Sequence, residues 1–254
     1  MDLGLAERRF LVGGASRGLG AAVAQALLAE GARVAGASRQ PALADGSTDD
    51  GVIPIAVDLS EPAGPADAVA AAIHALGGLD GMLVNTGGPP GGAFSVVDEA
   101  AWQRAIDGTL HSTLRLIRAA LPHLREGRDP AIVVILSSSV REPIPALVTS
   151  NVLRPALAGL IKSLVTEIAP IRINGVAPGR FTTDRVRTLD EARAAESGAT
   201  IEDVRAQTEA RIPLGRYGDP EELGRVVAFL LSPAASYLDG VILPVDGGMI
   251  RSLP

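Results

Sequence analysis

Short apolar runs alternate with longer stretches of helical periodicity from one end of the chain to the other. Seven runs read as strands: Phe10 to Gly13, Arg33 to Ala37, Val52 to Val57, Gly81 to Asn85, Ile132 to Leu136, Ile171 to Val176 and Val241 to Val245. Most are apolar at every position rather than at alternate ones. Both faces of such strands are expected to be buried, as in a parallel sheet covered by helices. Helical segments between the strands supply the crossovers, so the expected fold class is α/β, a single-domain doubly wound parallel sheet of about seven strands spanning residues 1–254. Two segments break the rhythm. Ala42 to Gly51 is rich in Asp, Gly and Ser and reads as a flexible surface loop. Arg180 to Tyr217 is polar and rich in Ala and Arg, and reads as a small helical lobe. Helices are expected over Glu99 to Arg125 and over Asn151 to Ile168. The second is expected to begin near Ser150 to Asn151, because Thr149, Ser150 and Asn151 are good capping residues and Pro155 belongs in a first turn.

The first strand breaks into GGASRGLG and then a helical pattern that ends near Gly31 and leads to the second strand. That is the Rossmann context, in which a glycine-rich strand-to-helix turn lays a pyrophosphate on backbone N–H groups. Gly14, Ser16, Arg17, Gly18, Leu19 and Gly20 are therefore cofactor-binding candidates. Ser38-Arg39 stands at the end of the second strand, where an enzyme selecting the unphosphorylated cofactor usually carries a carboxylate. With Arg17 in the glycine turn, two guanidinium groups can converge on a 2'-phosphate, which points to NADP(H). The bland alternative is that both arginines are simply solvated.

Composition narrows the remaining classes. A 47% share of hydrophobic residues provides ample core, and no apolar run approaches the roughly 20 residues needed to cross a bilayer. The N-terminus lacks the order of a signal peptide, so a cytoplasmic location without a membrane partner is expected. There is no cysteine, and three scattered histidines show no metal-ligand spacing, so no metal site is expected. A net charge of -6 argues against nucleic acid as a partner.

The chain resembles the short-chain dehydrogenase/reductase family over almost its whole length. GGASRGLG is similar to that family's TGxxxGxG turn with Gly13 in place of threonine. Asp58-Leu59, Asn85, Ala177-Pro178-Gly179 and the VDGG at Val245 to Gly248 follow in the family's order. The resemblance implies that Asp58 and Leu59 flank the adenine, that Asn85 lines the ribose and nicotinamide region, and that Pro178, Gly179 and Thr183 border the nicotinamide. VNTGGPP, SSSV and SNxxR in this order also resemble a subset related to beta-ketoacyl carrier-protein reductases.

The family's Asn-Ser-Tyr-Lys tetrad is where the resemblance fails. The chain has two tyrosines, Tyr217 and Tyr237, and a single lysine, Lys162, so no Tyr-x-x-x-Lys pair exists. Alignment puts Thr109 in the asparagine's place, Ser150 in the tyrosine's and Arg154 in the lysine's. Ser137 matches the serine by spacing, with Ser138 and Ser139 as close competitors. A tyrosine hydroxyl titrates near 10, and a serine hydroxyl starts several units higher. Arg154 supplies charge but does not accept a proton; it is expected to hold the nicotinamide ribose or to clamp an anionic substrate. Ser150 is equally well read as a helix N-cap. Glu142, beside Arg141, is the nearest candidate acid-base group, whereas His111 is about 200 degrees around the helix from Thr109 and faces elsewhere.

The expected function is an NADP(H)-dependent carbonyl reductase or alcohol dehydrogenase in which Ser137 or Ser138, Ser150 and a water supply the proton and Arg154 acts electrostatically. Two alternatives stand beside it: a non-redox dehydratase, isomerase or cyclase on the same scaffold, and a cofactor-binding protein with little catalysis. The Arg180–Tyr217 lobe would cover a small-molecule substrate, carrier-linked or anionic, with Arg180, Arg185 and Arg187 favouring an anion. A homodimer or homotetramer is expected through the helices that begin near Glu99 and Asn151.

Overall fold

The computed structural model describes residues 2–41 and 51–252; of the expected loop at Ala42 to Gly51, all but Gly51 lies outside them. The seven expected strands form one parallel sheet. They are β1 (Arg9–Gly13), β2 (Arg33–Ser38), β3 (Val52–Ala56), β4 (Gly81–Val84), β5 (Ala131–Ile135), β6 (Arg172–Pro178) and β7 (Ile242–Val245), in the order β3-β2-β1-β4-β5-β6-β7. Every pairing is parallel, which agrees with the absence of polar alternation along the strands.

The apolar residues divide between the two faces. On one, α2 (Gly64–Leu76), α4 (Ser112–Leu124) and α5 (Val148–Glu167) cover Leu11, Met82, Ile132 and Ile173. On the other, α1 (Gly18–Ala29) and α8 (Pro220–Leu231) pack on each other and on Phe10, Val12, Leu83 and Val133. Strand order reverses between β1 and β4, so the crevice at their carboxyl ends is where a doubly wound sheet binds ligands. At the opposite ends of the same strands, Asp80 ties β1 to β4. Its carboxylate accepts from the Arg9 N–H (2.9 Å), Arg9 Nε (3.0 Å), Arg9 Nη2 (2.8 Å) and the Arg128 N–H (2.8 Å).

The expected helix from Glu99 is α3 (Glu99–Ala105) running into α4 through a π-helical turn at Ile106–His111. The polar segment after β6 carries α6 (Asp184–Ser197) and α7 (Ile201–Glu209). No helix among the described residues is long and apolar enough to cross a membrane.

Candidate functional site

The glycine turn is shaped by how closely its backbone approaches β4. Gly14 and Gly18 have φ of +62° and +58°, the left-handed region that disfavours a side chain. A Cβ on Gly20 would collide with the carbonyl oxygen of Gly14, and the Asn85 Nδ2 would lie 2.9 Å from it. A Cβ on Gly14 would lie 2.8 Å from the same Nδ2. Gly13, where the resembling family has threonine, sits so near the end of β4 that a Cβ would be 3.0 Å from the Asn85 carbonyl. Ser16 and Leu19 lie half-buried on the turn. Arg17 occupies the cap position of α1 in extended conformation without a side-chain hydrogen bond. By contrast, Asp98, Thr183 and Thr200 cap α3, α6 and α7 with their own side chains. The first N–H groups of α1 thus remain open at the switch point, the arrangement that binds a phosphate.

At the end of β2, Ser38 is buried at 8% exposure, and its hydroxyl has no hydrogen-bond partner among the described residues. Buried hydroxyls are normally satisfied, so an orphan at this position marks a place for an acceptor or donor from outside. Arg39 next to it and Arg17 on the neighbouring turn are both exposed. Across from β2, the Asp58 carboxylate accepts from the Ser60 hydroxyl (2.7 Å) and the Ser60 N–H (2.9 Å). Those bonds, helped by the charge of Arg39, hold its pKa below the ordinary value. Leu59 is buried beside it at 7% exposure.

The β5–α5 corner departs from the expected helix start and shows which bonds the serines and Arg154 make. First, α5 begins at Val148, not near Ser150 to Asn151, and its cap residue Leu147 offers no side-chain bond. Pro155 lies inside the helix rather than in a first turn. The three capping-type residues bond loops instead of their own helix. Thr149 Oγ1 donates to the Pro90 carbonyl (2.6 Å), Ser150 Oγ meets Ser139 Oγ (3.2 Å), and Asn151 clasps the backbone of Ile144 (3.0 and 2.9 Å). Ser150 is therefore not an N-cap; a tertiary partner has taken its hydroxyl. Second, the serine brought to Ser150 is Ser139, not Ser137. After β5 the chain folds into a 3-10 turn at Ser138–Val140, and Ser137 caps that turn by accepting from the Ser139 N–H (3.1 Å), which swings Ser139 inward. Ser138 and Ser139 are both buried at 3% exposure.

Third, Arg154 is fastened to protein rather than left free for a ribose or a substrate. Its Nη1 donates to the Ile135 carbonyl (2.6 Å) and its Nη2 to the Gly87 carbonyl (2.8 Å). Burial, reinforced by the charge of nearby Arg185, lowers its pKa to about 10, so it stays cationic at neutral pH. Thr109 sits in the π turn at 1% exposure, its carbonyl taken by the Thr113 hydroxyl (2.7 Å), and this turn packs against α5.

Other candidates lie elsewhere. His111 Nδ1 bonds the Asp107 carboxylate (2.8 Å), and Arg141 and Glu142 are exposed. Tyr237 is fully exposed, and Lys162 is exposed on α5. Tyr217 is buried and donates to Asp190 (2.9 Å), which also takes Arg180 (3.3 Å). A Cβ on Gly179 would lie 2.7 Å from the Asp246 Cβ, so that glycine lets the turn after β7 approach; Pro178 is buried beside it at the end of β6. Thr183 caps α6, and a Cβ on Gly18 would lie 3.5 Å from its methyl. One feature was hard to foresee. Arg185 reaches back from α6 to donate to the Pro89 carbonyl (2.7 Å), and its sequence signal was only one arginine among three in a charged helix.

Comparison with known proteins agrees with this architecture. A family model described as Enoyl-(Acyl carrier protein) reductase matches residues 14–250. The chain is 30% identical over 244 residues to the 3-oxoacyl-[acyl-carrier-protein] reductase FabG of Vibrio cholerae, covering 94% of this chain and 96% of that protein. Among solved structures, the L-sorbose reductase of Gluconobacter frateurii, complexed with NADPH and L-sorbose, superposes with a TM-score of 0.91 at 27% identity over the whole of both chains. The ligand-free aldohexose dehydrogenase of Thermoplasma acidophilum gives 0.89 at 28%, again over both whole chains. With its parallel seven-stranded sheet, its glycine turn against β4 and these relatives, the chain belongs to the short-chain dehydrogenase/reductase family.

Proposed function

We propose that this protein is an NADP(H)-dependent carbonyl reductase or alcohol dehydrogenase of the short-chain type, working with an altered acid-base site. The observation that carries the reading is the cradle at the switch point. A Cβ at Gly14 or Gly20 would collide with Asn85 or the Gly14 carbonyl, so bare backbone forms the turn, and beside it the buried Ser38 hydroxyl has no partner among the described residues. NADP(H) fits those features. Gly14, Ser16, Gly18, Leu19 and Gly20 would hold the pyrophosphate on backbone N–H groups, and Arg17, Ser38 and Arg39 would meet the 2'-phosphate. Asp58 and Leu59 would flank the adenine, with Asn85, Pro178, Gly179 and Thr183 at the nicotinamide end.

When bound, the cofactor supplies or accepts a hydride; this chain's residues manage the substrate oxygen and its proton. Ser150, paired with Ser139 at the end of the Ser137-Ser138-Ser139 run, hydrogen-bonds that oxygen. A water delivers the proton, because a serine hydroxyl titrates too high to exchange it efficiently at neutral pH. Arg154 acts as a fixed positive charge behind the oxygen and holds the ends of β4 and β5 together, while Thr109 backs α5. The segment 180–217 serves as the lid of one continuous domain. Subunits pair through α4 and α5, whose outward edge carries Val152, Ala156, Gly159 and Ser163, all exposed; light scattering that finds a monomer at micromolar concentration would refute that pairing.

The test is transfer of deuterium from labelled NADPH to a panel of aldehydes and ketones, followed by mass spectrometry. A deuterated alcohol supports the reading. Tight NADPH binding with no transfer across the panel would replace it with a cofactor-binding role.

A further inference from the structure

The lid segment is rich in arginine, but its arginines are not equivalent. Arg180 pairs with Asp190, Arg187 with Asp184 and Glu191, and Arg205 with Glu209. Arg185 has no carboxylate within 4.0 Å among the described residues, and neither does Arg154. The hydrogen bonds these two make are to carbonyl oxygens: Arg154 to Ile135 and Gly87, Arg185 to Pro89. They therefore both grip the loop after β4, Arg154 from α5 and Arg185 from the first turn of α6. A Cβ on Gly88 would lie 3.0 Å from the Arg185 Nη2 and 3.2 Å from its Nε, so the absence of a side chain there lets the guanidinium lie along the loop.

Two neighbouring cations without a counter-ion are unfavourable, and carbonyl dipoles compensate them only partly. The carboxyl ends of β4 and β5, next to the Ser139–Ser150 pair, therefore hold positive charge that no carboxylate among the described residues pairs. Arg185 is exposed, so a ligand can reach it from solvent, and one bond to Pro89 leaves most of its donors free. A guanidinium fork matches a carboxylate or phosphate bidentately, and a charged acceptor outcompetes a backbone carbonyl for it.

We infer that the substrate carries a carboxylate or phosphate group, that Arg185 binds this group in exchange for the Pro89 carbonyl, and that Arg154 adds its charge from behind without leaving Ile135 and Gly87. Arg185 is thus the specificity-determining residue of the site. The inference takes from the proposed reductase function only that the substrate has a carbonyl; anion recognition itself does not need turnover.

The test is binding. Calorimetry or ligand-observed NMR on the NADPH-loaded protein compares 2-, 3- and 4-oxo acids with their methyl esters, and dihydroxyacetone phosphate with dihydroxyacetone. At least one anion is expected to bind tenfold or more tighter than its neutral partner, the effect of one charge-assisted contact. The pair that responds distinguishes carboxylate from phosphate. Arg185→Gln should bring the ratio near one and Arg185→Lys should keep part of it, with circular dichroism verifying the fold. Equal affinities in every pair, or a ratio that survives Arg185→Gln, would overturn the inference. If the ratio behaves as expected and nothing is reduced, the reductase reading fails and anion recognition stands.

Discussion

The glycine turn and the β5–α5 corner belong to one candidate site, yet they are specified by different means. In the turn, backbone packs on backbone: Gly20 against the Gly14 carbonyl, and Gly13 and Gly14 against Asn85. In the corner, side chains reach across the fold: Thr149 to Pro90, Ser150 to Ser139, Arg154 to Ile135 and Gly87. The first kind of construction admits only residues without a Cβ and so tolerates little change. The second tolerates exchange of one polar group for another, and it is there that the proposed alteration of the acid-base site lies.

The largest effect should follow from breaking the first kind. Gly20→Ala forces a methyl onto the Gly14 carbonyl, which cannot move without shifting the end of β1, and overpacking of that order costs about 3 kcal/mol. A loss of about a hundredfold in NADPH affinity is expected by calorimetry. Retained affinity would mean that the turn is not the cofactor cradle.

The end of the sheet away from the site sharpens the contrast, because Asp80 there is paired with Arg9 and Arg128. Burial alone would raise the Asp80 pKa, but the Arg9 side chain and the Arg128 and Arg9 N–H groups outweigh it and hold the carboxyl at about 2. A folded-state pKa depressed below the unfolded value contributes stability above about pH 4 that is lost as pH falls towards 2, here about 2 kcal/mol. Asp80→Asn should remove most of that acid sensitivity in denaturant titrations. An unchanged pH profile would show that the cluster is not a stabilising pair.

The same contrast explains how much was legible in the sequence. Continuous apolar runs located all seven strands, five of which are buried almost throughout while the edge strands β3 and β7 are only partly so, and the glycines marked a close approach because nothing else fits there. The corner was read less well for a physical reason. Thr149, Ser150 and Asn151 carry the chemistry of a cap, and only the fold reveals that loops from β4 and β5 have claimed their side chains. Likewise, counting thirteen residues back from Ser150 selects Ser137, but the 3-10 turn presents Ser139 in its stead. The lack of a carboxylate partner for Arg185 among the described residues has no sequence signature, because it depends on which carboxylates the neighbouring turns happen to bring near.

Smaller effects are expected at the proposed acid-base corner. If Arg154 acts as a charge, activity should show no basic limb near neutrality, because burial lowers its pKa only to about 10 and leaves it cationic there. A limb near pH 7 to 8 would assign the ionisation to another group. Ser150→Ala should cost less than about tenfold in kcat, because a water carries the proton and Ser139 remains to bond the oxygen; tenfold corresponds to about 1.4 kcal/mol of barrier. A loss of a thousandfold in a folded variant would show that Ser150 has assumed the tyrosine's role.

The account rests on an intact NADP(H) cradle persisting beside an altered acid-base corner, and parallel fluorescence titrations with NADPH and NADH test that most directly. With Ser38, Arg39 and Arg17 meeting the 2'-phosphate, NADPH should bind at least about tenfold tighter, the effect of one charge-assisted contact. Equal affinities, or tighter binding of NADH, would contradict it.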